Sequence, residues 1–95
     1  MSNRDEYIEK MKASLDEWNA ELAELEARAR SAEADMRLNF DRQIEELRRR
    51  RDEAEKQLRE LRSAGEESWE RMRQGMEAAW EEMHRAFREA ADRLR

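Results

Sequence analysis

The sequence predicts an all-α protein: a long helix, a bend near Gly65 and a shorter helix, assembled as a homo-oligomeric coiled coil or helical bundle. Three observations carry that expectation. In 95 residues there is no proline, valine or threonine, and the only glycines are Gly65 and Gly75, so few positions oppose a helix. Charged residues make up 47% of the chain beside a surplus of Ala, Glu, Arg and Leu, the composition of coiled coils and long helices. Apolar residues also recur at helical spacing nearly from end to end. A net charge of −5 with such regular periodicity argues against a chain held disordered by self-repulsion.

The first element is expected to span residues 1–62. Ser2 or Asn3 offers an N-cap, and Glu6, three residues after Asn3, completes a capping-box pattern. Ile8, Met11, Leu15, Trp18, Leu22, Leu25, Ala29, Ala32 and Met36 then step by three and four alternately, which is a heptad seam. Its Ala29 and Ala32 are small enough to let a partner backbone come close. Met36, Phe40, Ile44 and Leu47 step by four, four and three, a stutter that relaxes the supercoil locally. The seam resumes through Ile44, Leu47, Arg51, Ala54, Leu58 and Leu61. Arg51 intrudes at an apolar position and is expected to carry its charge past the seam edge to a nearby carboxylate.

Residues 63–68, Ser-Ala-Gly-Glu-Glu-Ser, are the expected bend or linker. Gly65 suits the left-handed end of a helix, and Ser63 or Ser68 could cap the next one. The remaining stretch, 69–95, is an amphipathic helix with an eleven-residue repeat. Trp69, Met72 and Met76 are followed at the same spacing by Trp80, Met83 and Phe87, and Ala91 and Leu94 begin a third copy. Eleven residues in three turns is close to the pitch of a straight helix, so this element should pack as a bundle helix.

A continuous helix over residues 3–62 would be about 90 Å long, and the second helix, about 45 Å, could cover only half of its seam. Self-association follows as the economical expectation, most simply a dimer in which the shorter helix folds back beside the long one. Its interface would comprise Ile8, Met11, Leu15, Trp18, Leu22, Leu25, Met36, Phe40, Ile44, Leu47, Leu58, Leu61, Trp69, Met72, Met76, Trp80, Met83 and Phe87. Another helical protein is the alternative partner.

Chemistry has little to work with. There is no cysteine, no Gly-rich phosphate loop and no Ser/His/acid set, so no enzymatic activity and no cofactor are expected. Met76, Met83 and His84, with Met72 nearby, form a loose thioether and imidazole set of the kind that suits Cu(I). Core packing is the preferred reading of these methionines. The run Arg48-Arg49-Arg50-Arg51 is flanked by acids, and four consecutive helical residues point in four directions. Nucleic-acid binding is therefore not expected. No apolar run reaches the ~20 residues of a membrane span, and the N-terminus lacks the pattern of a signal peptide, which makes the cytoplasm the default location. Peripheral attachment to a lipid surface through residues 69–95 is the alternative function. Its polar face carries more acids than bases, which disfavours it.

Tyr7-Ile8 with Met11 and Leu15, Gln43-Ile44-Glu45-Glu46-Leu47, Ala64-Gly65-Glu66, and the paired Ala79-Trp80 and Ala86-Phe87 carry a further signal. In these residues the chain resembles a class of small bacterial coiled-coil proteins of unassigned function. The resemblance implies a bacterial cytoplasmic setting and a helix, break, helix layout, and brings no catalytic or binding residues with it.

Overall fold

The computed structural model describes residues 3–93; Ser2 and Leu94 lie outside them. Three α-helices of nearly equal length cover this span: α1 (Asn3–Arg30), α2 (Ala34–Arg62) and α3 (Glu66–Arg93). Side-chain contacts fix their directions. Arg4 reaches the carbonyls at the end of α2, Tyr7 meets Trp69, and Trp18 meets Trp80 and Phe87. Helices α1 and α3 therefore run parallel, with α2 antiparallel to both. The resulting bundle measures 51 × 20 × 18 Å.

The helix expected over residues 3–62 is instead two helices joined by Ser31, Ala32 and Glu33. The last turn of α1 tightens, with the Ser31 and Ala32 N–H groups donating to the Arg28 and Ala29 carbonyls at 3.2 Å. Glu33 then turns the chain with an extended backbone, φ −66° and ψ 156°. Local charge agrees with a boundary here: Arg28 and Arg30 occupy the last turn of α1 and Asp35 the first turn of α2, each complementing its helix dipole. Folding back also covers the seam of residues 8–29 with that of residues 40–61 from the same chain. Such closure costs only a short loop, whereas a second molecule would lose translational and rotational freedom.

The connection between α2 and α3 is shorter than residues 63–68: α2 stops at Arg62 and α3 begins at Glu66. Gly65 does not adopt a left-handed conformation. Its carbonyl accepts from the N–H groups of Ser68 and Trp69, at 3.1 and 3.0 Å, so it opens α3 rather than closing α2. Ser63 terminates α2, its hydroxyl donating to the Arg59 carbonyl at 3.2 Å, while Ser68 lies within α3. Arg4 adds a cap from outside. Its guanidinium donates to the carbonyls of Leu61, Arg62 and Ala64, groups that a helix end leaves without intrahelical donors.

The core runs the length of the bundle as one cluster, from Ile8 and Met11 to Phe87 and Ala90, and contains no buried polar or charged residue among those described. Every helix contributes the face its apolar spacing defines.

Candidate interaction surface

The expected interface residues fall almost entirely inside this one chain. Ile8, Met11, Leu15, Trp18, Leu22, Leu25, Phe40, Ile44, Leu47, Leu58, Leu61, Met76, Trp80, Met83 and Phe87 are buried, and Trp69 and Met72 are half-buried against them. Because the chain turns back at residues 31–33, no rod of about 90 Å with an uncovered seam forms within it. Met36 departs from the pattern. Although it continues the α1 seam in sequence, it is 41% exposed, because the turn places it in the first turn of α2 ahead of Phe40, the first buried residue of that helix.

At mid-bundle the gap between α1 and α3 is filled by rings. Trp18, 2% exposed, lies 5.1 Å from Trp80 centre to centre and stacks on Phe87 at 5.7 Å with the planes 5° apart. His84 sits on the exposed edge of this group, its ring 5.1 Å from Trp18 and nearly perpendicular to it. The Nε1–H of Trp80 is buried and lacks a hydrogen-bond partner. Met76 and Met83 are part of the same core, while His84 faces outward. Among the described residues no group of three or more His, Asp or Glu side chains is placed to hold a metal ion.

At the end of the bundle where α1 and α3 begin, an open cleft of about 770 Å³ lies between them. Tyr7 and Trp69 meet edge to face at 5.9 Å, with the Arg4 guanidinium 4.6 Å from the Trp69 ring centre. Arg73 crosses the cleft 5.8 Å from the Tyr7 ring and is already held by Glu70 and by Glu77, the latter at 2.5 Å. The Tyr7 hydroxyl is buried without a partner, and burial, followed by the nearby Glu77, pushes it above its ordinary value despite Arg73. The expected seam begins at Ile8 and leaves out Tyr7, although Tyr7 precedes Met11 by four and packs against the core; nothing in the sequence marked Arg4.

The basic run is neutralised side by side. Arg48 pairs with Glu26 of α1 at 2.6 Å, Arg49 and Arg50 share Glu46, and Arg51 bonds Asp52 at 2.9 Å and the Asn19 side chain at 3.1 Å. Arg51 thus leaves the seam for a carboxylate, as its position suggested. The hydrogen bonds from Arg49 and Arg50 hold the Glu46 carboxyl below its usual range.

No helix among the described residues is long and apolar enough to cross a membrane. Of Trp69, Trp80 and Phe87, on which attachment to a lipid surface would depend, Trp80 and Phe87 are turned into the core and Trp69 is half-buried against it. A lipid surface could reach Trp80 and Phe87 only after α3 left the bundle.

Fold and surface together define an all-helical bundle whose make-up fits a structural helical protein. Comparison with family models, with curated proteins and with solved structures finds no match.

Proposed function

We propose that this chain is a non-catalytic structural or scaffolding protein of the cytoplasm that works through helix–helix association, with a second copy of itself as first partner. One observation supports this reading above the others. Met36 and Leu38, 41% and 58% exposed, are the two exposed large apolar side chains among the described residues, both in the first turns of α2 but on opposite sides of it. Met36 also stands in line with the seam residues Ala29 and Ala32 of the preceding segment, so a second copy meeting this end of the bundle would take apolar surface out of water. Sedimentation equilibrium over a wide concentration range tests the idea on the wild type and on a Met36→Glu, Leu38→Glu variant. The wild type should self-associate, and the variant should do so less while keeping its helicity, since both side chains sit outside the core. A wild type that stays monomeric at all concentrations rejects the proposal.

A further inference from the structure

Both interhelical turns are closed by the same kinds of contact, but only the α2–α3 turn contains a glycine. Ser31, Ala32 and Glu33 include no glycine, no proline and no left-handed residue, so nothing in them forbids a helical conformation. Glu33 occupies the N-cap position of α2 yet makes no side-chain capping bond, so only its backbone carbonyl receives N–H groups of the first turn, those of Met36 and Arg37. The other contacts are alike at the two turns: the Glu33 carbonyl accepts from the Met36 and Arg37 N–H groups as that of Gly65 does from Ser68 and Trp69, and Arg37 donates to the Arg30 and Ala32 carbonyls as Arg4 does to those at the end of α2.

The apolar stripe also ignores the α1–α2 turn. At 100° per residue Leu22, Leu25, Ala29, Ala32, Met36, Phe40, Ile44 and Leu47 fall within about a third of the circumference of one continuous helix. Met36 is exposed only because the chain bends before it. Straightening residues 31–33 would return Met36 to the stripe and restore the helical hydrogen bonds of three residues.

From these observations we infer that the chain forms a domain-swapped dimer with a second copy of itself, residues 31–33 being the hinge. In each chain α1 and α2 become one helix of about 60 residues, with α3 still folded back on α2. The two long helices cross antiparallel at Ala29, Ala32 and Met36, where alanine lets the backbones approach. Contacts away from the hinge are preserved across the dimer: Arg48 with Glu26, Arg51 with Asn19 and Arg4 with the carbonyls at the end of α2 each form between chains instead of within one. Closed monomer and swapped dimer then differ only in the hinge and in the entropy of association, so concentration governs their ratio. This inference rests on the self-association proposed above and specifies its geometry.

Ala34→Pro separates the two forms. Position 34 is the first helical residue of α2 in the closed bundle, where proline is well tolerated, and Glu33 already has the extended conformation that a following proline requires. In a continuous helix the same proline would be interior, and with one in each chain the dimer population should fall more than about 100-fold.

The readout is the distance between spin labels at Lys10→Cys and Lys56→Cys, both exposed, in a chain with no other cysteine. Labelled chains are refolded with an excess of unlabelled chain at high concentration, and the monomer and dimer fractions are separated. In the closed form the two backbones lie about 10 Å apart on neighbouring helices. In the swapped form they are 46 helical residues apart, about 70 Å. A dimer fraction showing the long distance, absent in the folded Ala34→Pro protein, is the expected result. A dimer that keeps the short distance overturns the swap and leaves self-association standing. A protein that is monomeric at every concentration overturns both.

Discussion

Trp18 bridges α1 and α3 through Trp80 and Phe87, at a level of the bundle where no smaller side chain would span the gap. Trp18→Ala should lower the unfolding free energy by about 3–5 kcal/mol, measured by urea denaturation, a large part of the roughly 5–15 kcal/mol of a small domain. Gly75 gives the opposite case. It lies within α3 without positive φ, and a Cβ built there meets nothing within 4 Å, so Gly75→Ala should raise the stability by about 1 kcal/mol in the same assay. Tyr7 is the single tyrosine, so absorbance titration reads it alone. Its phenol should ionise above its ordinary value near 10. Because the folded form holds this proton more tightly than the unfolded one, its contribution to stability is complete below pH 10 and falls as pH rises through the raised value. Tyr7→Phe should remove that alkaline loss.

At the scale of elements, the start of α2 is the least finished part of the fold. Glu33 has the backbone of an N-cap but a side chain too long to serve as one, so Glu33→Asp should stabilise the closed bundle by roughly 1 kcal/mol. A thermal melt should show this as a rise of about 4–8 °C. This boundary was also the part of the architecture that the sequence concealed. Helical class and core face were legible, because Leu15, Trp18, Leu22, Phe40, Leu58 and Phe87 keep helical spacing and are buried. The turn was not, because its residues continue the three-and-four rhythm and include neither Gly nor Pro. The available clue was electrostatic: Arg28 and Arg30 on one side and Asp35 on the other, a reversal of sign that marks the end of one dipole and the beginning of the next. Segment lengths held a second clue, since a 60-residue rod folded once at its middle matches the length of α3. The groove at Tyr7, Trp69, Arg4 and Arg73 was legible only in part. Arg4 acts across the bundle on carbonyls 57 and more residues away, and no local pattern encodes such a contact.

For the molecule as a whole, shape is the most direct discriminator. A radius of gyration of 15.5 Å exceeds the about 12 Å of a rounded domain of this length, and the long dimension is 51 Å. Small-angle scattering from dilute protein should return this short cylinder, whereas the rod expected from an unbroken seam would reach about 90 Å. All three helices meet their neighbours through short connections, so folding should be fast, with relaxation in microseconds to milliseconds by temperature jump.

The odd number of helices has a mechanical consequence. Because α1 and α3 run parallel, Asn3 and Arg93 emerge at opposite ends of the 51 Å body. Tension applied between them acts along the helix axes, so α1 and α3 would have to slide past their neighbours and Trp18 would be drawn out from between Trp80 and Phe87. An even-numbered bundle, with both ends on one side, would be peeled open one helix at a time.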